Sequence, residues 1–228
     1  MYIFEGILLL GVIGVLLAFL YTEKKQIQKI ETVSQRYRGT RSERKTILKL
    51  LDSNIHPKAI FHDLYLIKNT GHYTQIDLVV ATPVGIIVFE VKEYNGWIFG
   101  NGNHQKWTQV MAYGRQKYYF YNPVLQNKKH IEDLKKQLPQ FNTVPFFSVI
   151  VFFGNCSFRA LSNIPNDVFF INSSQIQDTI RSIFELNTPT EYKNKREVYQ
   201  LLKNAVLNGE NEFIRSKHID NVNKLGAL

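Results

Sequence analysis

The sequence contains a single cysteine, Cys156, in 228 residues. One thiol cannot form an intrachain disulfide, and it cannot supply a Cys-rich zinc site, so both of these are excluded. The low cysteine usage also favours a reducing compartment for the main part of the chain. No internal repeat or low-complexity tract interrupts the sequence.

Acidic side chains are scarce: 19 Asp and Glu stand against 28 Lys and Arg, a formal net charge of +9. An excess of positive charge favours anionic partners such as nucleic acid or anionic lipid, although it does not specify a fold. Hydrophobic residues make up 44% of the chain, which is enough for a substantial core. A disordered chain is therefore excluded.

Charge is absent from residues 6–21, GILLLGVIGVLLAFLY. With residues 1–4 this run approaches the roughly 20 residues that a helix needs to cross a bilayer. No Lys or Arg precedes it and no small-x-small cleavage site follows it, unlike a signal peptide. The sequence predicts a retained transmembrane anchor over residues 1–21, with a buried soluble helix as the alternative. Basic residues follow the run but do not precede it, so we expect a single-pass protein whose C-terminal domain lies in the cytoplasm.

The rest of the chain divides into three parts. Residues 22–39 are polar and predict a helical juxtamembrane stalk, and residues 40–185 alternate helical and strand patterns, as expected of one α/β domain. Within this domain, the apolar run 146–153 predicts a buried central strand. Two further polar helices form a helical C-terminal extension over residues 186–228.

One hairpin carries charges that its apolar residues do not explain. Residues 75–92, QIDLVVATPVGIIVFEVK, form two β-rich runs around a turn. Either a two-residue turn or a four-residue loop gives opposed residues whose numbers sum to 167, so Asp77 faces Glu90 and Gln75 faces Lys92. A loop longer or shorter by one residue would place the two acids on opposite faces.

The pairing of two acids in a half-buried site calls for a cation. Asp77 and Glu90 would repel each other by several kcal/mol at reduced dielectric unless one is protonated or a cation lies between them. Mg²⁺ or Mn²⁺, which prefer oxygen ligands, resolve this most simply. Lys92 could then hold a water molecule or stabilise charge on a phosphate. The plainer alternative is that Asp77 caps a strand and Glu90 and Lys92 form a salt-bridged rim.

An acid on one strand followed by Glu-x-Lys on the next resembles the PD-(D/E)XK nuclease superfamily. The longer text QIDLVVATPVGIIVFEVKEYNGWIFG, then Trp107, then NPVLQNKKHIEDL resembles the nuclease-related (NERD) domain over about residues 40–150. The resemblance implies a restriction-endonuclease-like fold, a mixed sheet flanked by helices. It also implies that Asp77 and Glu90 are metal ligands, that Lys92 is the catalytic lysine, and that Glu43 is an additional metal or water contact.

The same resemblance suggests a helical glutamine near the site. Gln126 lies where related nucleases often carry one, and it is preferred to Gln109 with Tyr113, whose helix is less clearly indicated. Further residues are candidates for nucleic-acid contacts: Gln75, Lys106, Lys128 and Trp107. The lysines could neutralise phosphates and the tryptophan could stack on a base, although packing over the sheet is the alternative for the tryptophan.

Together these features predict a membrane-anchored, metal-dependent nuclease that hydrolyses phosphodiester bonds in DNA or, as a second choice, RNA. Two other functions are compatible with the sequence. The same fold could recognise nucleic acid or a protein without cutting it, or the chain could be a scaffold at a lipid surface. The scaffold leaves the Asp, Glu and Lys of the hairpin without a role.

Overall fold

The computed structural model describes the backbone of residues 2–226 and the side chains of residues 12–222 other than Ala112. The helices are α1 (Tyr2–Glu31), α2 (Arg41–Asp52), α3 (Pro123–Lys135), α4 (Ile176–Leu186), α5 (Lys195–Asn208) and α6 (Glu212–Gly226). The strands are β1 (Ile60–Ile67), β2 (Tyr73–Thr82), β3 (Gly85–Glu93), β4 (Gly96–Asn101), β5 (Lys106–Met111), β6 (Gln116–Tyr121), β7 (Phe146–Phe153), β8 (Cys156–Ser162) and β9 (Val168–Asn172).

The strands form two mixed sheets flanked by helices. The five-stranded sheet has the order β1-β2-β3-β7-β9, in which β1, β2 and β3 are antiparallel neighbours and β7 and β9 continue in parallel. The four-stranded sheet has the order β6-β5-β4-β8, with β4 and β8 parallel. The predicted α/β class is confirmed, but the single predicted sheet is replaced by two.

The central strand β3 is apolar on both faces because helices cover both faces of its sheet. Ile87 and Phe89 point into a core shared with α2 and α4. Ile86 and Val88 point into a second core, which holds residues of α3 and α5. Even-numbered side chains of β3 therefore face the α3 side of the sheet, as do Glu90 and Lys92 farther along the strand.

Local sequence explains where the two helices nearest this strand begin. Thr40 caps α2, since its hydroxyl accepts a hydrogen bond from the N–H of Glu43. Asn122 caps α3 in the same way, and Pro123 occupies the first helical position, where its missing N–H costs nothing. Both caps fix the first turn of a helix that carries a candidate site residue.

The four-stranded sheet packs on the first sheet through one tryptophan. Trp107 on β5 joins Ile98, Val124, Ile150 and Phe152 in a third core. Its indole N–H donates to the carbonyl of Asn101 at 2.9 Å. The side chain is 1% exposed, so the prediction that Trp107 stacks on a base is wrong.

The C-terminal extension packs on the main domain. Val198, Leu202 and Ala205 of α5 lie in the core on the α3 side of the five-stranded sheet. Helix α6 contacts the start of β2, where His218 Nδ1 lies 3.0 Å from the carbonyl oxygen of Tyr73. The extension therefore covers part of the sheet that carries the hairpin.

Among the residues whose side chains are described, no helix is long and apolar enough to cross a membrane. The anchor predicted over residues 1–21 lies in part outside that range, since the side chains of residues 1–11 are not described.

Candidate functional site

The candidate site lies where the β2–β3 hairpin opens. The ladder runs from Thr82–Gly85 to Leu78–Phe89, so every pair sums to 167, as predicted from a two-residue turn. Asp77 and Glu90 are the next residues in the two strands. The backbone pairing of β2 and β3 ends before these two residues. Asp77 Oδ2 instead accepts a 2.7 Å hydrogen bond from the N–H of Val91.

Lys92 binds two groups of this site. Its ammonium nitrogen lies 2.6 Å from Glu90 Oε1 and donates to Gln126 Oε1 at 3.1 Å. Gln126 reaches the strand from the first turn of α3, which the Asn122 cap fixes. Gln109 lies on a strand instead of a helix, and its amide donates to the carbonyl of Asn95 at 2.7 Å. The structure thus brings Gln126, and not Gln109, to Lys92.

His130 is also part of the site. It lies one turn after Gln126 on α3 and is buried. His130 Nε2 lies 3.3 Å from Glu90 Oε2, and Nδ1 lies 3.3 Å from the hydroxyl of Thr74. The spacing of four residues from Gln126 was the signal in the sequence, because residues i and i+4 share one face of a helix.

Glu43 reaches the same region from α2 and is held by a buried histidine. Glu43 Oε2 lies 2.9 Å from His62 Nε2, and Glu43 Oε1 accepts the hydroxyl of Thr40 at 2.8 Å. On the other side of the imidazole, Nδ1 lies 2.7 Å from the hydroxyl of Ser34. His62 lies in β1 and is 1% exposed.

Asp63, next to His62, belongs to a second buried network. Arg38 Nε donates to Asp63 Oδ2 at 2.8 Å, and Gln75 Nε2 donates to Asp63 Oδ1 at the same distance. Asp63 has φ of +53°, a left-handed conformation that non-glycine residues seldom adopt. Gln75, predicted to face Lys92, therefore turns towards β1 instead.

Burial and nearby charges shift the pKa values of Asp77 and Glu90 in opposite directions. Burial, then the charges of Glu90 and Glu43, raise the pKa of Asp77 well above its usual range, against the opposing effect of Lys92. Burial also acts to raise the pKa of Glu90, but Lys92 and His130 outweigh it, and the pKa of Glu90 is lowered. Burial disfavours a charged Lys92, yet Glu90 and Asp77 raise the pKa of its ammonium group.

The donor set fits a divalent cation. Both oxygens of Glu90 are buried and accept no hydrogen bond of good geometry from the described part of the chain, although Lys92 and His130 lie close to them. Beside them lies Asp77, whose pKa is raised by burial and then by the neighbouring acids, so that its ionised form is disfavoured. Hard divalent cations satisfy such carboxylate oxygens. Among the described side chains no group of three or more His, Cys, Asp or Glu is arranged to hold a metal.

A cleft of about 660 Å³ leads to this site. Asp77, Gln126 and His130 are among its lining residues, and α6 contributes His218 and Asn221. Asn221 Nδ2 lies 3.0 Å from His72 Nδ1, so α6 is tied to the β1–β2 turn. No motif in the sequence indicates that the C-terminal helix borders the site.

The predicted nucleic-acid contacts divide into three groups. Lys106 and Lys128 are exposed and free to meet an anionic ligand. Gln75 lines the cleft, although its amide is bound to Asp63. Trp107, the last of them, is buried in the third core. Tyr113, paired with Gln109 as the alternative to Gln126, is not one of these contacts and is 97% exposed on a turn.

Tyr94 is a neighbour of the site that the sequence interpretation missed. It follows Lys92 by two residues, so it lies on the same side of the chain. Burial, then the charge of Glu90, raise the pKa of its hydroxyl, and Lys92 opposes them. Its ring packs on Phe120 with 4.4 Å between centroids. The alternation of side chains along β3 was the available signal.

Comparison with known proteins agrees with this geometry. A protein of Bacillus anthracis named only as uncharacterized is 28% identical over 219 residues, which cover 95% of this chain and 93% of that protein. No solved structure is significantly similar to the chain. A family model described as the nuclease-related domain matches residues 38–153, half of the chain, and includes every residue of the candidate site. The chain belongs to the nuclease-related domain family, which is consistent with membership of the PD-(D/E)XK superfamily.

Proposed function

We propose that the chain is a metal-dependent nuclease that hydrolyses phosphodiester bonds in DNA, with RNA as the second candidate substrate. One observation carries this proposal. Asp77, Glu90, Lys92 and Gln126 come from three separate elements and converge beside the cleft that Asp77 and Gln126 line. A salt-bridged rim would need only Glu90 and Lys92, and it would not explain a second buried acid beside them.

Asp77 and Glu90 would hold Mg²⁺ or Mn²⁺ in an arrangement of the restriction-endonuclease type. A divalent ion bound there polarises a phosphoryl oxygen and lowers the pKa of bound water. Lys92 is kept protonated by the acids around it, so it donates hydrogen bonds to a phosphate oxygen or to water instead of accepting a proton. Gln126 holds the ammonium group of Lys92 in place, and Glu43 adds negative charge near Asp77.

We further propose that α1 holds this nuclease at a membrane, with the C-terminal domain in the cytoplasm. The described large apolar side chains between Val12 and Tyr21 are all exposed, so none of them is buried in the domain. Residues 6–21 carry no charge, which is typical of a helix that faces lipid on all sides. Lys24, Lys25 and Lys29 follow at the end expected to remain in the cytoplasm.

The nuclease activity can be tested on the full chain purified in detergent. We expect cleavage of plasmid or single-stranded DNA that requires Mg²⁺ or Mn²⁺, is abolished by EDTA and is lost in Lys92→Ala. No cleavage of DNA or RNA with any divalent metal, or full activity in Lys92→Ala, would refute the enzyme. Salt-dependent DNA binding without cleavage would instead identify a binding module of the same fold.

The anchor can be tested by fractionation of cells that express the full chain. We expect the protein to stay with membranes after an alkaline wash. Leu16→Arg should release it, because an arginine at the centre of a spanning helix costs about 2.5–3.5 kcal/mol on insertion scales. Gln26→Arg, on the polar part of α1, is the matched control. Membrane retention that is unchanged in Leu16→Arg would contradict the anchor.

A further inference from the structure

The outer face of the four-stranded sheet carries aromatic and basic side chains. The pairing of β4, β5 and β6 sets Trp97 opposite Val110, Thr108 opposite Tyr119 and Lys106 opposite Tyr121. Alternation along each strand then defines the face, whose aromatic and basic members are Trp97, Phe99, Lys106, Lys117, Tyr119 and Tyr121. The opposite face holds Trp107 and Phe120, which pack in the core.

The tyrosines of this face are largely exposed and pack poorly against the rest of the domain. Tyr119 is 69% exposed and Tyr121 is 52% exposed, on the edge strand of the sheet. Burial is what makes an aromatic side chain stabilise a fold, so these two contribute little to folding. Exposed aromatic rings on a sheet are the platform on which unpaired bases stack.

The charge of the sheet is entirely of one sign. None of its four strands contains Asp or Glu, and residues 94–131 contain no acid while they carry Lys106, Arg115, Lys117, Lys128 and Lys129. The guanidinium of Arg159 on β8 lies 5.0 Å from the centre of the Trp97 ring. Basic side chains interleaved with aromatic rings suit a polyanion whose bases have open faces.

The edge strand of this sheet leads directly into a helix of the candidate site. Strand β6 ends at Tyr121, and the next residue is the Asn122 cap of α3, the helix that carries Gln126. A strand of nucleic acid bound at Tyr121 would therefore lie at the N-terminal end of α3, the helix whose Gln126 lines the cleft.

We propose that the outer face of this sheet binds single-stranded nucleic acid, with bases stacked on Tyr119 and Tyr121 and phosphates held by Lys106 and Lys117. The bases of a duplex are stacked on one another, so they do not present their faces to these rings. This inference rests on the proposed function in that the bound strand is taken to be the substrate of the nuclease site.

Binding can be measured apart from cleavage, on the full chain in detergent with EDTA and a fluorescent oligothymidylate. We expect the single strand to bind more tightly than a duplex of equal length. The double variant Tyr119→Ala/Tyr121→Ala should bind at least about tenfold more weakly, as the loss of stacking on two rings implies. Tyr37→Ala, which removes a tyrosine that is 86% exposed on the turn after α1, is the matched control and should bind normally.

The lysines give a second readout. Lys106→Ala and Lys117→Ala should each reduce the slope of log affinity against log salt by about 0.7, the value for one phosphate contact of a single strand. Lys203→Ala, an exposed lysine on α5, should leave the slope unchanged. Trp97 fluorescence should be quenched on binding, whereas Trp107 is buried and should not respond.

These measurements separate the two proposals. Equal binding by the tyrosine double variant and the unchanged chain, equal affinity for single strand and duplex, or binding to anionic lipid vesicles alone would each overturn the proposed surface. Binding that depends on the two tyrosines, without cleavage under any metal, would support the surface and refute the nuclease.

Discussion

Lys92 Nζ lies 2.6 Å from Glu90 Oε1, where the carboxylate is 1% exposed. This pair differs from a surface salt bridge because the Glu90 side chain is buried and only 19% of the Lys92 side chain is exposed. The cost of desolvating both charges is large, and such a pair is seldom kept for stability alone. Its position beside Asp77 and at the end of the cleft is consistent with a chemical role for the ammonium group.

Replacement of Lys92 by methionine should separate chemistry from binding. Lys92→Met removes the donor proposed to stabilise charge on the phosphate, so we expect cleavage to fall by about 10²–10³-fold, the usual cost of one such donor. Unfolding should also become easier, because Glu90 would lose its cation. Lys203→Met is the control, and steady-state cleavage with thermal melting would measure both effects. Unchanged cleavage in Lys92→Met would remove Lys92 from the mechanism.

The pKa of Asp77 predicts a stability difference that depends on pH. In the unfolded chain Asp77 should titrate near its ordinary value, whereas burial and the nearby acids raise its folded pKa. Between these two values the folded state holds the extra proton, so the free energy of unfolding falls as pH rises. Asp77→Asn removes the group that titrates, so the variant should not show this fall in the free energy of unfolding. We therefore expect a higher melting temperature for the variant in EDTA, by a margin that grows from about pH 4 and then levels off above the folded pKa.

A metal titration gives the contrasting result for the same variant. Mg²⁺ or Mn²⁺ should raise the melting temperature of the unchanged chain, since an ion bound only by the folded state stabilises it. Asp77→Asn lacks one of the two proposed ligands and should respond weakly. For a chain of this size each kcal/mol corresponds to about 2–4 °C. Equal metal responses in the two proteins would argue against Asp77 as a ligand.

The hairpin register could be predicted from the sequence because its determinants are local. A two-residue turn and the alternation of apolar residues fix the pairs from Thr82–Gly85 to Leu78–Phe89. The convergence of Gln126 with Lys92 could be predicted only through the family resemblance. Its geometry depends on how α3 packs across the sheet, which no local pattern specifies.

The parts that were missed depend on contacts between distant segments. Strand β8 pairs with β4 across more than 50 residues, and the edge strand β6 carries a run of tyrosines that resembles a packing segment. The roles of His62 and His130 depend on which face of their strand or helix is buried. The sequence alone does not show whether a polar residue in such an element is buried or at the surface. A polar pair within the otherwise apolar β1 was the available signal for His62.

Gln126 should affect turnover more than binding. Gln126→Ala removes the 3.1 Å acceptor of Lys92 and leaves the charge of the lysine in place. We expect kcat to fall by about tenfold, the equivalent of one hydrogen bond of about 1.4 kcal/mol, with little change in KM. Gln109→Ala, which removes a hydrogen bond to Asn95 away from the site, should keep normal kcat. Equal losses in the two variants would indicate a general effect on folding.

A substitution at Gly39 would test how closely the segment after α1 packs against His62 and Glu43. Its φ is +69°, and a Cβ there would lie 2.3 Å from His62 Nε2 and 2.4 Å from Glu43 Oε2. We expect Gly39→Ala to destabilise the fold and to displace Glu43, because the imidazole and the carboxylate cannot both stay in place. Gly71→Ala is a matched control, since Gly71 has φ of +77° and open space around it.

Both glycine variants place an alanine in the left-handed backbone conformation, which costs about 1–2 kcal/mol in each. The excess destabilisation of Gly39→Ala over Gly71→Ala in urea unfolding therefore measures the clash at His62 and Glu43. Cleavage should fall in Gly39→Ala and stay normal in Gly71→Ala, if Glu43 contributes to the site. Equal stability of the two variants would show that the segment can move away from His62. Equal stability with a loss of cleavage confined to Gly39→Ala would locate the effect in Glu43 itself.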